Sequence, residues 1–386
     1  MKTNLWLSLL LASVLACACG KDDTRPPVTP TPPDPVDPVV PDSGTDAKWG
    51  LKDLAQACGM VIGAEYTYSE YTQDKQLQEV LKHDFDVVTF GNEMKHDNIV
   101  SGSGTISFSR PDQMVGWAND CGLKLCGHTL GWHSQQQTDY LQTLIDRAAD
   151  ADAAAAAIRD AHATFVDKMV EHFDVYAWDV VNEAFADDGM GSWRNSGNTE
   201  AKYHVFLWGN YFEGGTKGFA DAAFRSAKEA LARYGKKADL YINDYNLEWN
   251  PAKLESLCKY AEGNPDVTGV GSQMHCNTDL SVDAIRNMLM RMVKTGKKVR
   301  ISELDVPQGS IPTNSQADLI VTIFDQYLKI VPEAQRGGIT FWGVSDKNSW
   351  LGANKEPLLF DAAYRPKESY DKLYAYLLDR SGLDKE

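Results

Sequence analysis

Two glutamates stand out in the chain, Glu183 closing the segment WDVVNE and Glu303 inside VRISELDV, because each ends an apolar run rich in β-branched residues. Carboxyl groups brought face to face from separate elements are what cleavage of a glycosidic bond requires. One is held protonated to donate to the leaving oxygen, while the other stays ionised to attack the anomeric carbon or to activate water. Their surroundings must therefore drive the two pKa values apart. Asn182, beside Glu183, is placed to hydrogen-bond a sugar 2-hydroxyl, a contact that strengthens as the ring flattens toward an oxocarbenium-like transition state. His275 and Asp305 are placed to orient and charge-stabilise Glu303. A single glutamate at a strand end is more often part of a surface ion pair, and a single histidine more often a satisfied core residue. The chemistry is read from the group.

Other chemistries lack their motifs. The eight histidines form neither HExxH nor a close His/Asp cluster, so no metal is expected. There is no GxGxxG after the first strand, no P-loop and no GxSxG elbow, and no cofactor is expected. The net charge of −16 disfavours attraction to nucleic acid or anionic lipid, and leaves a neutral substrate unopposed.

The residues that carry the chemistry lie at the ends of eight short runs: MVIGAEY from Met60, FDVVTF from Phe85, LKLCGHT from Leu123, VYAWDVVNE from Val175, DLYIND from Asp239, VTGVGSQMH from Val267, KVRISELDV from Lys298 and GITFWGVS from Gly338. Helical patterns separate them, the clearest over Leu141 to Phe173, Lys217 to Tyr234, Ser281 to Thr295 and Ser315 to Ile330. This alternation predicts an α/β fold, and eight units match a closed (β/α)8 TIM barrel with its active site at the C-terminal ends of the strands. Those ends carry Asn92, Lys95, His128, Trp132, Asn182, Glu183, Asp244, Gln273, His275, Glu303, Asp305 and Trp342. Trp132, Trp342 and Trp350 suit a cleft that stacks on pyranose faces, and Lys95, His128 and Gln273 offer donors to hydroxyls.

The N-terminal region has a different character. MKTNLWLSLLLASVLACACG carries one lysine and then an apolar run too short to span a bilayer as a helix, so residues 1–16 are expected to be a signal peptide. Small residues precede Cys17 and Cys19, as in a lipoprotein lipobox, which makes one of them the expected lipidation site. Half of the 16 prolines follow between Lys21 and Asp46, so residues 17–47 read as a lipidated cysteine and an extended linker. Residues 48–382 are the expected catalytic barrel. The expected location is the outer membrane or cell surface of a Gram-negative bacterium, with membrane contact only through the lipid anchor. Five further cysteines form no CxxC pair; their odd number leaves at least one unpaired, and buried free thiols are the plainest expectation for most.

Seven blocks in matching order resemble glycoside hydrolase family 10, the endo-β-1,4-xylanases: FGNEMKHD, GHTLGWHSQ, WDVVNEAFADDG, LYINDYN, VGSQMH, GKKVRISELDV and FWGVSDKNSW, from Phe90 to Trp350. The resemblance implies retaining double displacement on xylan and xylo-oligosaccharides, with Glu183 as acid/base and Glu303 as nucleophile. It implies that Asn182 contacts the sugar on the nonreducing side of the cleaved bond, and that His275 and Asp305 hold Glu303. Asn92, Lys95, His128, Trp132, Gln135, Gln273, Trp342 and Trp350 would line the glycone subsites, with Tyr245 and Asn246 toward the aglycone. The family block usually reads ENEMK. Gly91 here takes the place of its first glutamate, so a carboxylate two subsites from the cleavage point is expected to be missing. Gly131 replaces a bulkier apolar residue and is expected to widen the floor beside Trp132. A related barrel glycosidase acting on β-1,4-glucan or mannan uses the same glutamate pair, whereas a surface glycan-binding lipoprotein that had lost turnover would have no need of it.

Overall fold

The computed structural model describes residues 47–384 apart from 311 and 313. The signal peptide, Cys17, Cys19 and nearly all of the proline-rich segment lie outside the described residues. The strands are β1 (Ile62–Tyr66), β2 (Val87–Phe90), β3 (Lys124–His128), β4 (Ala177–Asn182), β5 (Asp239–Asp244), β6 (Gly269–Ser272), β7 (Lys298–Leu304) and β8 (Arg336–Phe341). They pair in chain order and close into a barrel, with β8 parallel to β1 and Ile62 opposite Ile339. The chain is a (β/α)8 barrel. Its strands are buried along almost their whole length, as parallel strands are when helices cover one face and packed side chains fill the other.

Helix starts are set by local chemistry. Asp150 accepts a hydrogen bond from the Ala153 amide at the head of Ala151–His172, and Asn250, Ser281 and Ser315 cap Pro251–Gly263, Val282–Val293 and Gln316–Ile330 in the same way. The Asp150 cap corrects one expectation. The helical pattern from Leu141 to Phe173 is two helices, Thr138–Arg147 and Ala151–His172, because Ala148 is extended and Asp150 begins a new helix.

Two irregularities in register sit where the function was expected. The β4–β5 pairing shifts between Asp179 and Val181, and the β7–β8 pairing shifts between Ile301 and Leu304. An extra residue in a strand bends it and re-aims the side chains that follow. Glu183 follows the first irregularity, one residue beyond β4, and Glu303 lies within the second. An isolated bridge between His275 and Asp305 extends the β6–β7 pairing past the strand ends and brings these two residues side by side.

Beneath the rim, the barrel interior holds a charged pair. Arg300 of β7 donates from Nη2 to both carboxylate oxygens of Asp179 on β4 at 2.9 Å, and both side chains are buried. Burial works against the Asp179 charge, but Arg300 and His128 outweigh it and hold the carboxyl below its ordinary range. His128 Nδ1 lies 3.0 Å from Asp179 Oδ2, so this buried ion pair also anchors a side chain that faces the cleft. All five described cysteines are free thiols.

Candidate active site

A cleft of about 840 Å³ opens at the C-terminal ends of the strands. Asn92, Lys95, His128, Trp132, Gln135, Asn182, Glu183, Tyr245, Asn246, Gln273, His275, Glu303, Trp342 and Trp350 all line it, together with Glu65, Thr67, Ser69, Glu70, Gly91 and Asn348. Asp305 does not line it and stands behind His275.

The two glutamates are joined across the floor by amides. Asn243 Nδ2 donates to Glu303 Oε1 at 2.9 Å and to Asn182 Oδ1 at 3.0 Å, while its own oxygen accepts from the Ser302 hydroxyl at 2.7 Å. Gln273 Nε2 lies 3.1 Å from both Asn182 Oδ1 and Glu183 Oε1. With two amide donors on its oxygen, Asn182 has its nitrogen left to donate, and that nitrogen points toward Glu183 Oε1 at 3.4 Å.

Glu303 is the more enclosed of the pair, its side chain 5% exposed against 15% for Glu183. Its second oxygen faces His275 Nε2 at 3.2 Å, and His275 Nδ1 faces Asp305 Oδ2 at 2.7 Å. Burial disfavours charge on this imidazole, but its hydrogen bonds to Asp305 and Glu303 prevail and raise its pKa to about 10. His275 is an imidazolium between two carboxylates. Trp350 fixes the far side by donating from Nε1 to Asp305 Oδ2 at 2.8 Å.

Glu183 is positioned by its backbone. Its φ of 56° is left-handed, a conformation that costs a side-chain-bearing residue about 1–3 kcal/mol unless its surroundings hold it. The Glu183 amide donates to the Asn243 carbonyl at 2.8 Å, and Arg194 Nε donates to the Glu183 carbonyl at 3.0 Å. His133 Nε2 lies 3.9 Å from Glu183 Oε2; burial, reinforced by Arg194 and Lys253, pushes this imidazole down to about 3, so the contact is neutral.

On the β2–β3 side, Lys95 Nζ donates to Gln135 Oε1 at 2.7 Å, Gln135 Nε2 donates to Asn92 Oδ1 at 3.1 Å, and the ammonium sits 4.9 Å from the Trp132 ring centre. Burial lowers the Lys95 pKa against the opposing pull of Glu303, Glu65 and Glu183. Trp342 packs edge-on against His128 and His275. On the other side, the Tyr245 hydroxyl bonds to Asp187, and buried Lys253 reaches Asp187 at 3.0 Å and Asp244 at 2.8 Å.

A family profile described as Glycosyl hydrolase family 10 matches residues 50–376. The chain belongs to glycosyl hydrolase family 10. It is 32% identical to endo-1,4-beta-xylanase A of Cellvibrio japonicus over 86% of this chain and 57% of that protein. It is 30% identical to endo-1,4-beta-xylanase 3 of Hypocrea jecorina over 86% of each chain. Native xylanase 10B from Thermotoga maritima superposes with a TM-score of 0.71 at 28% identity, covering 86% of this chain and 99% of that one. The chain spans just over half the length of two Cellvibrio relatives, 57% of one and 56% of the other.

Packing corrects one expectation about this family 10 cleft. A Cβ built on Gly131 would meet Phe219 Cζ at 2.8 Å, so the Phe219 ring takes up the room and the floor beside Trp132 is not widened. Gly91 brings no carboxyl of its own, and the space beside it is taken by another residue: a Cβ there would collide with Glu65 Oε1 of β1. Two residues carried little signal in the sequence: Asn243, one of several polar residues in the strand DLYIND, and Arg300, a lone cation in VRISEL.

The His275 geometry has a consequence for stability. Its folded pKa of about 10 lies above the ordinary 6.5, so its contribution is complete below about pH 6.5 and is lost as pH rises through about 10. Urea unfolding of the protein and of His275→Gln should show a stability gap that shrinks between these limits. A gap that stays constant with pH would contradict the imidazolium assignment.

Proposed function

We propose that this chain is an endo-β-1,4-xylanase that cleaves xylan and xylo-oligosaccharides with retention of configuration. The observation that carries the reading is the amide chain Gln273–Asn182–Asn243, which ties Glu183 to Glu303 across the cleft floor. Glu303 attacks the anomeric carbon while Glu183 protonates the departing glycosidic oxygen, leaving a glycosyl ester on Glu303. Glu183, now a carboxylate, takes a proton from water as the water oxygen attacks the same carbon, and the Glu303–sugar bond breaks. Asn182 donates to the 2-hydroxyl oxygen, and the His275 imidazolium receives the charge returned to Glu303 at each turnover. Relatives bearing the name endo-1,4-beta-xylanase support the choice of sugar.

Residues 1–16 serve as an export signal in this reading, and lipidated Cys17 or Cys19 with the linker tethers the barrel to the surface of a Gram-negative cell. The test is palmitate labelling. Incorporation should be lost on Cys17→Ser or Cys19→Ser, and retention in both single variants and the double variant would refute the anchor.

The purified protein should release short xylo-oligosaccharides from xylan and little from soluble β-glucan. Glu183→Ala should lower xylan turnover by about 10²–10⁴-fold. The same variant should lose far less in the first step on an aryl xylobioside, whose acidic phenol leaves without protonation. Equal losses on both substrates would remove Glu183 from the acid role.

A further inference from the structure

The carboxyl group of Glu65 has no part in the chemistry above. It lies on β1, one residue before the strand ends, opposite Thr89 of β2. Glu65 is only 8% exposed, yet it lines the cleft beside Thr67, Gly91, Asn92 and Lys95. No hydrogen-bond donor among the described residues reaches its carboxyl oxygens; its surroundings act on it through burial and through the charges of Glu70, Lys95, Glu93 and Glu303. Its carboxyl faces the cleft with no protein donor on it, so a hydroxyl of a bound ligand can supply the partner.

Gly91 makes this arrangement possible. Glu65 Oε1 stands where the first side-chain atom of any other residue at position 91 would have to be. With Glu65 in this position, a side chain at residue 91 has no room until the Glu65 carboxyl moves.

Resting on the xylanase reading, we propose that Glu65 is a substrate-binding residue of the glycone side, holding a hydroxyl of the sugar that lies beyond the ring over Glu303. The ligand is a neutral sugar. Burial, together with Glu70, Glu93 and Glu303, keeps the Glu65 pKa well above the usual carboxylate range, and a protonated carboxyl both donates to and accepts from a hydroxyl. Gln135, Lys95 and Asn92 already hydrogen-bond one another, whereas no described residue donates to either oxygen of Glu65.

The test compares xylotetraose, which fills the glycone side, with 4-nitrophenyl β-xyloside, whose single sugar occupies the position next to the cleaved bond. Glu65→Ala should lower kcat/KM on xylotetraose by about 10- to 100-fold, mostly through KM, and by at least tenfold more than on the aryl xyloside. Gly91→Glu alone should also be impaired, because its side chain conflicts with Glu65. The double variant Glu65→Ala with Gly91→Glu should regain most of the loss and exceed Glu65→Ala alone, a gain that relief of the steric conflict by itself does not produce. Equal losses on both substrates, an effect within about twofold on xylotetraose, or a double variant no better than Glu65→Ala would each overturn the proposal. A wild-type protein that cleaves neither substrate would instead overturn the xylanase reading, and this proposal with it.

Discussion

Glu303 is a carboxylate almost shut off from water, and the rest of the site is arranged around that constraint. Burying such a group without a cation and donors facing it is costly. Both of its oxygens are engaged, one by the Asn243 amide and the other by His275. Each partner is itself held: Asn243 by the Ser302 hydroxyl, His275 by Asp305, and Asp305 by the Trp350 indole. Glu303 is thus fixed by residues from β5, from the loop after β6, from β7 and from the loop after β8. A closed barrel is the architecture that brings those four places to one rim.

The same logic explains the unequal treatment of the two catalytic candidates. Glu303 rises from a strand and is locked by side chains, whereas Glu183 stands one residue beyond β4 in a left-handed conformation held through its backbone by Asn243 and Arg194. Asn243 appears in both sets of contacts. It hydrogen-bonds the Glu303 side chain through its own and the Glu183 amide through its carbonyl, so a change in one shoulder of the site is felt at the other. Acidic groups crowd the β1–β2 end, where Glu65 feels the charges of Glu70, Glu93 and Glu303 together with the ammonium of Lys95. That balance suits a neutral chain of sugars better than an anionic one.

The eight strands and the main site residues were legible because their signals are local. β-branched runs mark the strands, and polar or aromatic residues following them mark the rim, as at His128, Gln273 and Trp342. What escaped depends on distance in sequence and closeness in space. The Arg300–Asp179 pair joins residues 121 positions apart inside the barrel, and nothing in either strand announces the other. The carboxyl beside Gly91 was hidden because Glu65 looks like an ordinary strand residue until β1 and β2 are paired. Gly131 read as empty space because Phe219, which fills it, comes from the helix Gly215–Tyr234. In the Leu141 to Phe173 run, the alanine-rich pattern masked the short-range cap at Asp150 that divides it.

The proposed mechanism requires Glu303 to form a covalent bond to the sugar. Treatment with a 2-deoxy-2-fluoro xylobioside carrying a good leaving group slows the second step more than the first and lets the ester accumulate. Intact-mass and peptide mapping should then show one fluoro-xylobiosyl adduct, located on the peptide that contains Glu303. A protein that turns over xylan yet gives no adduct, or carries it on another residue, would contradict the mechanism.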